Sequence, residues 1–121
     1  MANIFPTDSK ARKDIPICTG VLDYFPLALA EVAKISVLGN KQHNPGEPLH
    51  WEKEKSTDHA DTIIRHLAER GGFDTDGSRH SAKLAWRALA NLQLELEAEH
   101  IQQPSAGDDP KTIVHLADDK L

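Results

Sequence analysis

The feature that most constrains the fold is a run of leucines and alanines at helical spacing, which follows a glycine-containing turn. These residues recur between positions 84 and 96 at intervals that place them on one face of a helix. Ser78 or a neighbouring residue can cap the helix, which extends to about His100. The apolar stripe of this helix comprises Leu84, Ala85, Ala88, Leu89, Leu92 and Leu96.

Two earlier segments show the same periodicity between clear start and stop signals. Pro26 suits the first position of a helix, and Gly39 supplies a stop for it. Ser56 or Thr57 can cap a second helix that runs to about Arg70, before a pair of glycines. The sequence therefore predicts an all-α fold, a small bundle of about three main helices with long loops and a flexible C-terminal tail.

The chain of 121 residues has room for one domain, which we expect to span residues 21–103. Residues 1–20 lack sustained periodicity and are predicted to form an irregular arm. Residues 104–121 begin with prolines, glycine and aspartates, a composition typical of a flexible linker, and end in a short apolar tag.

Charge and composition exclude several classes of protein. The net charge of -5 argues against a protein that binds DNA or RNA polymers, because such proteins present an excess of Lys and Arg. A single cysteine, Cys18, and no apolar leader favour a cytoplasmic protein, and no apolar run is long enough to span a membrane. Apolar residues on more than one helix face predict a homo-oligomer.

The second predicted helix carries acidic, basic and imidazole groups at spacings of three and four residues. Asp58 and Asp61 form an Asp-x-x-Asp pair that could offer oxygen ligands to Mg²⁺. Arg65 and His66 follow on the same helix and could contact a bound ligand. The alternative is that Asp61 and Arg65 form a surface ion pair while the histidines are half-buried.

The third predicted helix carries a row of hydrogen-bond donors beside its apolar stripe. His80, Lys83 and Arg87 lie three and four residues apart, and the row ends near Trp86 and Asn91. Arg binds phosphate oxygens in a bidentate manner and Lys supplies a point charge, so the row could hold phosphates. If the second and third helices pack antiparallel, the two polar rows face each other in a cleft. The alternative is a solvated charged face.

The loop before the second helix has a composition suited to recognition. Asn40, His43 and Trp51 lie within twelve residues, together with a second histidine and several turn residues. Trp51 could stack on a nucleotide base, although a tryptophan near the start of a helix can equally fill the core.

These pieces, in their order and spacing, resemble a small domain that is widespread in phage and prophage proteins and is named for dATP/dGTP diphosphohydrolases. The resemblance covers roughly residues 22–99. The matching pieces are Gly39-Asn40-Lys41, Trp51, Arg65-His66-Leu67, Asp74-x-Asp76-Gly77, His80 and Ala85-Trp86-Arg87-Ala88-Leu89.

The resemblance implies an α-helical enzyme, related to MazG-type pyrophosphohydrolases, that converts a deoxynucleoside triphosphate to its monophosphate and pyrophosphate with Mg²⁺ or Mn²⁺. Such enzymes hold their metals with paired Glu-x-x-Glu and Glu-x-x-Asp motifs, whereas this chain has Asp58-x-x-Asp61, and Glu31 is followed three residues later by Lys34.

Three hypotheses therefore remain open. The chain could be a metal-dependent pyrophosphohydrolase, with Asp58, Asp61 and Glu31 as metal ligands. It could instead be a non-catalytic sponge, without a metal cofactor, that sequesters a nucleotide or cyclic nucleotide immune signal against host anti-phage defence. The third possibility is an interaction module without a small ligand.

Overall fold

The structure, a computed structural model, describes residues 4–102, the last two of them by their backbone alone. Its elements are four α-helices, with no strand among the described residues, so the all-α prediction is confirmed. The predicted tail, residues 104–121, lies outside the described part of the chain. The helices are α1 (Ser9–Lys13), α2 (Pro26–His43), α3 (His59–Ala68) and α4 (His80–Gln102), with a π-helical turn at Cys18–Leu22 and a 3-10 turn at Lys53–Lys55.

Helix α2 begins at Pro26 as predicted, but the predicted stop at Gly39 is wrong. The helix continues to His43, and the N–H of Asn44 donates to the carbonyl of Asn40 at 2.7 Å. A glycine inside a helix costs only about 1 kcal/mol relative to alanine, so it does not by itself end one. The helix ends just before Pro45, a residue that disfavours helical backbone at the position preceding it.

Helix α3 begins later and ends earlier than predicted. Asp58 is its N-cap residue, although the Asp58 side chain accepts a hydrogen bond from the hydroxyl of Thr62 rather than from a backbone N–H. The helix ends at Ala68, and Gly71 follows with a φ of 89°, a conformation that suits glycine.

The segment predicted to be an irregular N-terminal arm contains helical structure. Asp8 caps α1, because its Oδ2 accepts a hydrogen bond from the N–H of Ala11 at 2.8 Å. The π-helical turn Cys18–Leu22 then leads towards α2. The side-chain cap explains how a helix of one turn forms where no apolar periodicity predicts it.

Helix α4 is the centre of the bundle and packs against both α2 and α3. Side chains near the end of α3 contact the start of α4, and those near the start of α3 contact the middle of α4, so the two helices run antiparallel. None of the described helices is long and apolar enough to cross a membrane.

The predicted apolar stripe of α4 is not the face that packs against the other helices. Leu84 and Ala85 are half-buried, and the other members of the stripe are exposed, namely Ala88, Leu89, Leu92 and Leu96. The packed face instead contains Ala82, Trp86 and Ala90, which recur every four residues, and the indole of Trp86 bonds Ser36 of α2. The exposed leucines therefore remain available to other surfaces.

Candidate binding cleft

A cleft of about 310 Å³ lies between α2, the segment 44–56 and α4. This volume is at the lower end of the range for small-molecule sites in proteins. Its lining combines apolar and aromatic side chains with several hydrogen-bond donors. The lining residues are Ile35, Ser36, Leu38, Gly39, Asn40, Gln42, His43, Asn44, Leu49, His50, Trp51, Glu52, Lys55, Ser56, His66, Lys83, Trp86 and Arg87.

Two tryptophans, the full complement of the chain, form the aromatic part of this lining. The rings of Trp51 and Trp86 meet edge to face, with centroids 5.6 Å apart. The indole N–H of Trp86 donates to the hydroxyl of Ser36 at 2.8 Å, which attaches α4 to α2. The ammonium of Lys53 lies 5.1 Å from the Trp51 ring centroid, within range of a cation–π contact. Both rings are thus held in place by specific neighbours.

Two asparagines organise the segment that closes one side of the cleft. Asn40, predicted as a ligand residue, donates from Nδ2 to the carbonyl of Glu47 at 3.0 Å and accepts from the N–H of His50 at 3.4 Å. Buried Asn44 donates to the Asn40 side chain and accepts from the ammonium of Lys55. The amide groups thus position the segment that carries Trp51.

The charge of the lining is opposite in sign to that of the chain. Lys55, Lys83 and Arg87 face a single carboxylate, Glu52, whereas the whole chain carries a net charge of -5. His50 adds to this bias, because hydrogen bonds to the Pro48 carbonyl and to Glu52 raise its pKa. Carboxylates outside the lining pair with Lys83 and Arg87 and offset part of this positive charge, so its attraction for an anion depends on the donors that stay free.

Arg87 connects the cleft to the start of α3. Its Nη1 lies 3.2 Å from Nδ1 of His59 and 3.5 Å from Oδ1 of Asp58. Its Nε and Nη2 form no hydrogen bond with the part of the chain that the structure describes. Burial and the Arg87 charge lower the pKa of His59, whose ring is therefore neutral near pH 7. Arg87 thus retains free donors at the cleft.

Lys83, predicted to contact phosphates, is instead held by two carboxylates from the turn between α3 and α4. Its Nζ lies 2.8 Å from Asp74 Oδ2 and 2.7 Å from Asp76 Oδ2. The Lys83 hydrogen bond and the N–H of Thr75 lower the pKa of Asp74 to about 2. This arrangement neutralises most of the charge that Lys83 would otherwise offer to a ligand.

The histidines of the two facing helices meet at the junction of α3 and α4. Nδ1 of His66 lies 2.9 Å from Nδ1 of His80, and Nε2 of His80 lies 2.8 Å from a carboxylate oxygen of Glu69. His80 is only 7% exposed, whereas the Glu69 side chain is mostly exposed. Burial, followed by the charges of His80 and Lys83, lowers the pKa of His66.

The aspartates predicted as metal ligands do not converge with further acidic groups. Asp58 is paired with Arg65 and Arg87, and Asp61 belongs to neither of the two His and carboxylate groups that could hold an ion among the described residues. Glu31 is paired with Lys34 at 2.8 Å. The residues present therefore do not fit the paired-carboxylate arrangement that the resemblance implies for Mg²⁺ or Mn²⁺.

Most of the predicted ligand residues lie together. Asn40, His43, Trp51, His66, Lys83 and Arg87 all line the cleft. Arg65 lies outside this lining and binds Thr62 and Asp58, and His80 lies behind His66. The prediction missed Lys55 and Trp86 as lining residues. The sequence contained a signal for Trp86, because this residue lies near the end of the donor row of α4. It contained none for Lys55, because only the fold of segment 44–56 turns Lys55 towards α2.

Comparison with known proteins identifies a family for this chain. Residues 7–104 match the family described as dATP/dGTP diphosphohydrolase, N-terminal. The matched region contains all four helices and every residue that lines the cleft. No curated protein and no solved structure matches the chain.

Proposed function

Because the chain belongs to the dATP/dGTP diphosphohydrolase N-terminal family, we propose that it binds a nucleotide in the cleft between α2, the segment 44–56 and α4. The observation that carries the proposal is the pairing of an aromatic wall with the free guanidinium nitrogens of Arg87 in one cavity. Such a protein would act in the cytoplasm, where free nucleotides are available.

The two kinds of lining match the two halves of a nucleotide. Stacking of a base on an aromatic side chain contributes about 1–3 kcal/mol, and Trp51 offers a ring for it at the cleft. Arg87 has free guanidinium nitrogens that suit phosphate oxygens. Asn40 acts in this proposal as a positioning residue for the Trp51 segment.

Intrinsic fluorescence tests the proposal directly, because both tryptophans of the chain line the cleft. We expect deoxynucleotides to change the emission in a saturable manner. Arg87→Ala should weaken binding about ten-fold to a hundred-fold, since a charge-assisted hydrogen bond is worth about 1.5–3 kcal/mol. Trp51→Ala should weaken it by a similar factor, with Trp86 as the remaining reporter.

Arg70→Ala is the matched control for Arg87→Ala, because Arg70 is exposed and bonds the carbonyl of Leu67, outside the cleft. Each variant must keep the helical circular dichroism of the parent. Equal loss of affinity in both arginine variants would indicate nonspecific electrostatic binding and would refute the cleft site. No response to any nucleotide would refute the function.

Hydrolysis of the bound nucleotide is the second candidate, and the family match favours it. A deoxynucleoside triphosphate would yield its monophosphate and pyrophosphate, with Mg²⁺ or Mn²⁺ as the cofactor. The competing proposal is a sponge that needs no metal and sequesters a nucleotide or cyclic nucleotide signal. The pairing of Asp58 and Glu31 with basic side chains favours binding without turnover.

Chromatography of a nucleotide panel, after incubation with protein and Mn²⁺, separates these two candidates. Turnover that Asp61→Asn abolishes, with the melting temperature unchanged, would support the enzyme and its predicted metal ligand. Turnover that survives the substitution would remove Asp61 from the mechanism. Intact nucleotide that is retained by the protein, and is bound equally well by Asp61→Asn, would support the sponge.

A further inference from the structure

We propose that His66, His80 and Asp74 form a binding site for a divalent transition-metal ion, for which Zn²⁺ is the suitable probe. One ligand atom from each of the three residues lies within 4.8 Å of the other two. Two imidazoles and one carboxylate are a common ligand set for such ions. The site is separate from the predicted Asp58 and Asp61 pair, and its test does not require a nucleotide.

The hydrogen bonds of His80 orient its ring for this role. Nε2 of His80 lies 2.8 Å from Glu69 Oε2, so the hydrogen of a neutral ring resides on Nε2 and the lone pair on Nδ1. Metal-binding histidines commonly donate the hydrogen of their far ring nitrogen to a carboxylate, which fixes the orientation of the ring. The free lone pair of His80 points at Nδ1 of His66, 2.9 Å away.

The contact between the two rings needs one shared hydrogen, which a metal ion can replace. Since Nδ1 of His80 is an acceptor, Nδ1 of His66 must donate in the metal-free state. When an ion binds, the hydrogen of the His66 ring moves from Nδ1 to Nε2 by tautomer exchange, and both Nδ1 lone pairs are then available to the ion.

The turn between α3 and α4 holds the third ligand at a fixed distance from His80. The N–H of Asp74 donates to the Ser78 carbonyl at 2.7 Å, and the N–H of His80 donates to the Gly72 carbonyl at 3.2 Å. Gly77 has a φ of 85°, which allows the tight turn between them. The ligands therefore need little rearrangement to bind an ion.

The local charge also favours a dication. Glu69, Asp74 and Asp76 supply three carboxylates around the two rings, and Lys83 supplies one ammonium. Lys83 bonds Oδ2 of Asp74, but each carboxylate oxygen has a second lone pair for another partner. The surplus of negative charge would stabilise a bound divalent cation.

Calorimetric titration of the chelator-treated full chain with Zn²⁺ alone tests the site. We expect one equivalent to bind, with a heat of binding that saturates at that ratio. Glu69→Gln should weaken binding about ten-fold or more, because the Glu69 carboxylate orients the His80 ring, and the change lies at an exposed position that should not disturb the fold. His66→Ala and Asp74→Asn should each weaken it at least ten-fold.

His50→Ala is the matched control, since His50 belongs to the other group that could hold an ion, with Glu47 and Glu52. That variant should bind Zn²⁺ as the parent does. Absence of binding by the parent, or binding that is lost in His50→Ala and kept in His66→Ala, would overturn the proposal. If His66→Ala does not keep its helical content, the comparison of Glu69→Gln with His50→Ala decides in its place.

Discussion

Replacing Lys83 with methionine tests how the turn between α3 and α4 is stabilised. The change keeps an unbranched side chain but removes the ammonium that bridges Asp74 and Asp76, whose side chains are only 27% and 22% exposed. The Lys83 hydrogen bond is the main cause that lowers the pKa of Asp74 from 3.8 to about 2. That change corresponds to about 2.5 kcal/mol, which partial solvent screening and the contribution of Thr75 reduce to about 1–2 kcal/mol.

The effect of pH on this variant has a definite sign. A carboxyl group with a depressed pKa contributes stability that is present above pH 3.8 and is lost as the pH falls through about 2. Urea unfolding, followed by circular dichroism, should therefore show a lower free energy of unfolding for Lys83→Met at pH 7. The difference from the parent should shrink as the pH approaches 2.

Lys34→Met is the matched control, because Lys34 forms an exposed ion pair with Glu31 on α2. Such surface pairs contribute little, so its unfolding midpoint should stay close to that of the parent. Equal losses in the two lysine variants at pH 7 would refute the reasoning. A loss in Lys83→Met that persists unchanged at pH 2.5 would show that packing of the side chain, rather than its charge, matters.

Three further outcomes follow from the contacts. Trp86→Phe should lower the free energy of unfolding by about 0.5–1.5 kcal/mol in urea titrations, because the hydrogen bond to Ser36 is lost. Burial lowers the pKa of His59 and His66 in the folded chain, so the unfolded chain binds more protons as the pH decreases from 7 to 5. The thermal stability should therefore fall over this range. The exposed leucines of α4 predict a homo-oligomer; light scattering at micromolar concentration should show one, and Leu92→Lys should reduce its mass.

The helices could be predicted because their signals are local. Pro26 marked the start of α2 correctly, and the apolar periodicity of α4 showed a long helix close to its observed bounds. The predicted end of α2 at Gly39 was wrong because glycine only weakly disfavours a helix. The backbone hydrogen bonds that continue through α2 outweigh this preference. The short helix α1 was missed because its stability depends on the single Asp8 cap rather than on periodicity.

The polar faces of α3 and α4 could be predicted to meet, but the sequence could not give their pairing. On α3, His59 and His66 are seven residues apart, and on α4 the same spacing separates His80 from Arg87. The antiparallel packing brings His66 to His80 and His59 to Arg87. That pairing depends on the register between the helices. The register is fixed by the turn after Ala68, whose closing hydrogen bonds become visible only in the folded chain.

Lys83 and Arg87 have different hydrogen-bond partners, which their spacing along one helix could not predict. Both were predicted to hold phosphates from their position in a row of donors, and both do line the cleft. The carboxylates that bind Lys83 come from a turn outside α4, so a helical spacing argument contains no information about them. Arg87 satisfies only Nη1 within the described chain, whereas the single ammonium of Lys83 is shared between two carboxylates. Phosphate binding at this cleft should therefore depend on Arg87 more than on Lys83, and the two substitutions should differ in affinity for that reason.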